Sequence, residues 1–195
     1  MYNGKMIQFK IATLLCVLSC LAFMFSPYVP KARAWSYWCK WPSNSTNYDA
    51  HTLSSGWANA VSFGRNQWIN VTPSPFDIFR NDTSNNDVTL GTTPAGTTAI
   101  TVQSCSGGIL SASDITFNNT LLWYTGSGSP GSSFDARSTA THEFGHHIGL
   151  NDTQSTYCPA DNSLKATMCI GGYSGTTFKR TLESDDRNVI NAVYP

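Results

Sequence analysis

Apolar and polar residues follow two different periods along the chain. Between residues 53 and 69, Trp57, Val61 and Trp68 recur at roughly the spacing of one helical face, which predicts a first helix from Leu53 to Ile69. Gly64 is unfavourable inside such a helix. Between residues 76 and 124, by contrast, polar and apolar residues alternate in short segments separated by Gly, Pro and Asn.

Alternation with a period of two predicts strands. The clearest segments are Phe76–Phe79, Thr98–Val102 and Asp114–Phe117. The order of elements that follows from these patterns is typical of a single α+β domain.

Two more helices are predicted in the second half of the chain. One runs from Asp135 to about Leu150 and the other starts near Ser184. Asp185 and Asp186 follow Ser184 as acids in the first turn after an N-cap, where they favour the helix dipole. We therefore give both aspartates a structural role and no catalytic one.

The first 34 residues have the pattern of an export signal. Two lysines precede an apolar run from Ile11 to Phe25, and Ala32 and Ala34 supply the small residues of a cleavage site. The run is shorter than the roughly 20 residues of a membrane anchor, and it continues beyond Cys20, which disfavours a lipoprotein signal. We expect a signal peptide over residues 1–34 and a single secreted domain over residues 35–195.

Charge limits the class of partner. Four of the 12 basic residues and none of the 12 acidic residues precede residue 35, so residues 35–195 contain 8 basic and 12 acidic side chains. A net charge of −4 argues against a nucleic-acid partner. We expect no stable membrane insertion once the signal is removed, and a monomer.

The main chemical signal is H-E-x-x-H, followed at fixed offsets by a glycine and an aspartate. Residues four apart on a helix share a face, so the imidazoles of His142 and His146 can bind one ion. Glu143 lies about 100° around the helix from His142, where its carboxylate can act as a general base beside the ion. His147 is offset by a similar angle from His146, which predicts a surface or packing residue.

A third ligand follows from the end of this helix. Gly149 can adopt the left-handed conformation that ends a helix, so that the chain folds back and Asp152 faces the ion. His51 is the only distant histidine that could replace it. Its position in the sequence makes Asp152 the preferred ligand.

The segment resembles the extended motif of the metzincin zinc peptidases, H-E-x-x-H-x-x-G-x-x-H. Aspartate replaces the last histidine here, as in the snapalysin-type small secreted proteases. Three further segments are similar to parts of matrixin catalytic domains: Ala166–Cys169 resembles a Met-turn, Thr181–Tyr194 the closing helix, and Gln67–Pro73 the end of the first helix. Met168 taken alone would more often be a core residue.

The resemblance implies a metzincin-like fold with a twisted, mostly parallel sheet, two packed helices, an active-site helix, a Met-turn and a C-terminal helix. It places Met168 beneath the zinc ligands. It also implies that an extended peptide pairs with an edge strand, for which the segment from Leu110 to Thr116 is the candidate. The loop from Ile170 to Lys179 should then form part of the pocket just beyond the scissile bond.

Four cysteines remain after the signal: Cys39, Cys105, Cys158 and Cys169. An even number suits disulfides in an oxidising compartment, and three pairings are possible. We prefer Cys39 with Cys105 and Cys158 with Cys169, because the second pair would close a short loop beside the Met-turn. Cysteine-bound zinc is disfavoured by the absence of a C-x-x-C pattern, and Cys39 as an inhibitory metal ligand is a weaker alternative.

These observations predict a secreted zinc endopeptidase that acts on protein or peptide substrates. One zinc ion, held by His142, His146 and Asp152, would lower the pKa of a bound water toward about 7. Glu143 would take the proton of that water and deliver it to the leaving amine. Calcium is possible as a further ion, but no motif specifies it.

Two alternatives remain open. The first is a secreted binding or adhesive module with a purely structural zinc, against which the presence of Glu143 counts. The second is a metallohydrolase that acts on bonds other than peptide bonds. A closed four-ligand metal site would favour the binding module, and an open position would favour the enzyme.

Overall fold

The structure is a computed structural model, and it describes residues 36–153 and 166–195. The predicted signal peptide and Cys158 lie outside these residues. Within them, no helix combines the length and the apolar composition needed to cross a membrane.

Helices and strands are both present, which confirms the predicted α+β class. The helices are α1 (Ser55–Ile69), α2 (Ala136–His147) and α3 (Ser184–Val193), and a 3₁₀ turn (Phe178–Arg180) precedes α3. The strands are β1 (Ser45–Tyr48), β2 (Asp77–Arg80), β3 (Val88–Gly91), β4 (Ala99–Ser106), β5 (Ile109–Asn118), β6 (Trp123–Tyr124) and β7 (Phe134–Asp135).

Side-chain caps determine where α2 and α3 begin. Asp135 caps α2, since its carboxylate accepts a hydrogen bond from the backbone N–H of Ser138 at 2.7 Å. Helix α3 is capped by Glu183, which forms a capping box with Asp186. In this capping box the carboxylate of Asp186 accepts a hydrogen bond from the backbone N–H of Glu183 at 2.9 Å. The N-cap is therefore Glu183, and the prediction of Ser184 was wrong by one residue.

The described strands form three small sheets, β1–β2, β3–β5–β4 and β6–β7, in which most strand pairs are parallel. Strand β1 pairs with β2, and β3 with β5, in parallel, whereas β4 is antiparallel to β5. A parallel bridge between Asp49 and Asp87 joins the end of β1 to the start of β3. The strands thus follow one another in the order β2–β1–β3–β5–β4.

Strand β4 lies at the edge of this layer, beside α2. The candidate edge segment, residues 110–116, lies instead within β5, which pairs with β4 along this segment and with β3 from Ile115 onward. The prediction of the edge strand was wrong because β4 and β5, the two strands of this hairpin, show the same alternation of polar and apolar residues. Only the long-range pairing of β5 with β3 distinguishes the inner strand from the outer one.

Gly64 explains how α1 and α2 approach each other. A Cβ atom at this position would lie 2.6 Å from the backbone C of Ala140 and the backbone N of Thr141. The glycine therefore permits backbone contact between the two helices, at the cost of helix propensity. Nearby, the indole N–H of the buried Trp68 donates to the carbonyl of Thr141 at 2.7 Å.

One of the two preferred disulfides is present within the described residues. Cys39 is bonded to Cys105, which ties the N-terminal segment to β4. Cys39 therefore has no thiol with which to inhibit a metal, and that alternative is wrong. Cys169 is also disulfide-bonded, but its preferred partner Cys158 lies outside the described residues.

His147 is a packing residue. Its ring is fully buried between the rings of Trp41 and Phe144, with centroids 5.7 and 5.6 Å away. Neither ring nitrogen makes a hydrogen bond of good geometry among the described residues, although backbone groups of Ser113 and Asn47 lie near the ring. Burial lowers the pKa of His147 to about 4, because a charged imidazolium would lose its hydration here.

Replacement of His147 by leucine tests this burial. Because the pKa is lower in the folded state, the unfolded chain binds the proton first as the pH falls. The neutral, buried His147 therefore contributes its full stabilisation at a pH above the pKa that this histidine has in the unfolded chain. The contribution is lost as the pH falls toward the pKa of His147 in the folded protein. Between about pH 7 and pH 4, the wild type should lose about 3 kcal/mol of unfolding free energy relative to His147→Leu. Denaturant unfolding of both proteins across this range measures the difference, and a difference independent of pH would contradict the assignment.

Candidate metal centre

Helix α2 presents two imidazoles whose orientation is fixed by backbone carbonyls. The Nδ1 atom of His142 lies 2.7 Å from the carbonyl oxygen of Thr167, and that of His146 lies 2.8 Å from the carbonyl oxygen of Leu150. An N–H on each Nδ1 donates to these oxygens and leaves each Nε2 as a lone-pair donor. Such outer partners are typical of histidines that bind metal.

A glycine turn brings the third ligand to the same point. Gly149 has φ +95°, and a Cβ atom on it would lie 1.8 Å from the carbonyl oxygen of Cys39, so only glycine fits. The chain reverses after this residue. As a result, Oδ1 of Asp152 lies 3.3 Å from Nε2 of His142 and 3.5 Å from Nε2 of His146.

These distances suit a metal ion. A tetrahedral zinc with bonds of about 2.0–2.1 Å places its ligand atoms about 3.3 Å apart. Among the described residues, His142, His146 and Asp152 form a group that could hold a metal ion. His51 does not join them, because its Nδ1 lies 2.7 Å from Oδ2 of Asp49.

The protonation states of the group also favour a cation. Burial opposes ionisation of Asp152, but both imidazoles, when protonated at Nε2, donate hydrogen bonds to its carboxylate and hold its pKa below the usual range. Burial lowers the pKa of His142. For His146 burial acts in the same direction, but Asp152 and Glu143 outweigh it and raise the pKa. A proton on His146 therefore competes with a metal ion as the pH falls.

Glu143 lies beside this group without being one of the three ligands. Its side chain is buried, and Oε2 accepts a hydrogen bond from Oγ1 of Thr101 at 2.6 Å. Thr101 belongs to β4, as does Gln103, whose amide donates to the carbonyl of His146. The edge strand thus orients the carboxylate and secures the helix end that carries the second histidine.

Met168 packs directly under the turn of α2 that carries both histidines. It is fully buried, and a Cβ atom on Gly145 would lie 2.1 Å from its sulfur. The glycine between the two ligand positions is therefore required by the close approach of this methionine.

Sequence analysis missed three residues that support the site. Thr101 lies in a strand pattern with no chemical motif. Asp186, assigned to the helix dipole, also accepts the backbone N–H of Thr167 at 2.9 Å, and burial raises its pKa to about 6. Lys179 is buried, its Nζ donates to the carbonyl of Cys169, and its charge, 3.1 Å from Nδ1 of His142, helps burial to lower the pKa of that imidazole and keep it neutral. All three contacts join residues distant in sequence, so no local pattern indicates them.

An open cavity of about 630 Å³ lies over the candidate ligands. Its walls include residues of β4 and residues of the predicted pocket loop, among them Ile170, Tyr173 and Phe178. The candidate group therefore faces an open cavity rather than a closed interior.

Comparison of the chain with models of known protein families gives no match, and comparison with curated proteins gives no significant match either.

We expect Asp152→Ala to weaken zinc binding by more than about 100-fold, because loss of a ligand should exceed the 10–100-fold effect of outer-shell changes. Competition with a chromophoric chelator measures the affinity. Asp82→Ala removes an exposed carboxylate that pairs with Arg80 outside the candidate group, and it should bind zinc like the wild type. Equal affinities for all three proteins would exclude Asp152 as a ligand.

Proposed function

We propose that the chain is a secreted zinc-dependent endopeptidase. The observation that carries this proposal is the buried carboxylate of Glu143, which adjoins the three-ligand group and faces an open cavity. A structural metal site needs no such base. The metzincin-like motif supports the same proposal.

Each residue has a distinct task. His142, His146 and Asp152 would hold a zinc ion, which when bound would supply Lewis acidity to acidify a water molecule and polarise a carbonyl group. Glu143 accepts a proton from the attacking water and returns it to the leaving amine. Thr101 holds the carboxylate in position for both transfers through its 2.6 Å hydrogen bond.

A peptide substrate is supported by the edge strand. Among the described strands, β4 pairs only with β5, so its other edge is available for main-chain hydrogen bonds to an extended peptide. Residues 99–101 of this strand line the cavity together with Glu143. A peptide paired with β4 would therefore cross the cavity next to the base.

The described residues bring three candidate ligands together, which would leave a fourth position for water or substrate, as in catalytic zinc sites. This supports the enzyme over a binding module with a structural zinc, in which four protein ligands are usual. Secretion is supported by the export signal of residues 1–34 and by the Cys39–Cys105 disulfide, which suits an oxidising compartment.

Glu143→Ala should lower casein hydrolysis by at least about 100-fold, the lower end of what a general base contributes. Zinc affinity should stay unchanged, because Glu143 is not a ligand. Glu143→Gln preserves the shape and the acceptor for Thr101 but cannot accept a proton, and it should be equally inactive. Retention of about a tenth of the activity with zinc bound would exclude this role for Glu143.

Thr101→Val should reduce kcat/KM for a peptide substrate by about 10- to 150-fold, because one hydrogen bond to a charged group contributes about 1.5–3 kcal/mol. Zinc affinity should not change. Thr101→Ser retains the hydroxyl and should restore most of the activity. If valine and serine variants lose activity equally, the hydrogen bond to Glu143 has no catalytic importance.

A further inference from the structure

A short N-terminal segment pairs with the turn that carries the third ligand. We call residues 36–39 the N-terminal strap. The backbone N–H of Trp38 donates to the carbonyl of Gly149 at 3.1 Å, and the backbone N–H of Asn151 donates to the carbonyl of Ser36 at 2.9 Å. These two bonds form an antiparallel bridge between Tyr37 and Leu150.

The turn that pairs with the strap positions two of the three candidate ligands, His146 and Asp152. The carbonyl of Leu150 orients the ring of His146, and Asp152 follows the bonded Asn151 directly. A side-chain hydrogen bond of 2.9 Å from Asn151 to the hydroxyl of Ser36 adds a third contact. The strap thus restrains the backbone on both sides of Leu150.

The strap is itself anchored to the sheet. Its last residue, Cys39, is buried and bonded to Cys105 in β4. Lys40 continues the attachment, since its N–H donates to the carbonyl of Gly108 at 3.0 Å and its carbonyl accepts from Leu110 at 2.9 Å. The strap therefore connects the turn after α2 to the hairpin of β4 and β5.

The two aromatic side chains of the strap contribute little of this attachment. Tyr37 and Trp38 are 50% and 68% exposed. Because these rings face solvent, the connection to the turn depends on the main-chain hydrogen bonds, on the hydrogen bond from Asn151 to the Ser36 hydroxyl and on the disulfide.

We propose that the N-terminal strap is a positioning element for the metal site. It holds Gly149–Asp152 so that Asp152 and His146 are in place before an ion binds. The inference rests on the metal site of the proposed function and adds a second requirement to it, an intact strap anchored by Cys39–Cys105.

A proline at position 38 tests the strap in the full chain. Trp38→Pro removes the N–H that donates to Gly149, whereas Trp38→Ala removes the exposed ring and keeps that N–H. Zinc affinity, measured by chelator competition, should fall by about tenfold or more in Trp38→Pro, as for other outer-shell changes. It should be unchanged in Trp38→Ala.

A double-mutant cycle separates positioning from general destabilisation. If the strap acts through Asp152, Trp38→Pro should weaken zinc binding much less in the Asp152→Ala background than in the wild type. An equal effect in both backgrounds, or equal affinities of Trp38→Pro and Trp38→Ala, would overturn the proposal.

If Trp38→Pro does not fold, the double variant Cys39→Ser/Cys105→Ser takes its place in the same cycle. A wild type that binds no zinc would refute the metal site itself, which distinguishes that failure from a failure of the strap.

Discussion

The reversal of the chain at Gly149 is the constraint on which the candidate site depends. Its positive φ, and the contact that leaves no space for a Cβ atom beside the carbonyl of Cys39, allow only glycine at this point. The reversal lets the Leu150 carbonyl orient His146 and brings the Asp152 carboxylate within 3.5 Å of both imidazoles. Without it, α2 would present two ligands and no third.

Support for the ligands comes from several separate parts of the chain. The carbonyl of Thr167 holds His142, and Thr167 is held in turn by Asp186 of α3. Strand β4 contributes Thr101 to Glu143. Because each support crosses between elements, the site is rigid only when the sheet, α2 and α3 are all assembled, and metal binding should be coupled to folding.

The same contacts explain why Glu143, the proposed base, is not one of the candidate metal ligands. His142, His146 and Asp152 converge on one point, whereas Glu143 is turned toward β4 by Thr101 and stays outside the group. A carboxylate held beside a metal but not bound to it can exchange protons. The proposed hydrolysis depends on this separation, and under the same proposal a peptide paired with the edge of β4 would lie next to the carboxylate of Glu143.

Local spacing in the sequence determined the three helices, the placement of His142 and His146 on one helical face, and the turn that brings Asp152 back to them. These features depend on residues within about one or two helical turns of each other, so periodicity reveals them. The edge position of β4, the supporting contacts of Thr101, Lys179 and Asp186, and the pairing of the strap with Asn151 were decided only by tertiary structure. They join residues that are distant in sequence, and the alternation of β4 and β5 is the same whichever strand lies outside. The sequence therefore predicted which atoms could bind a metal, and the fold decided what holds them in place.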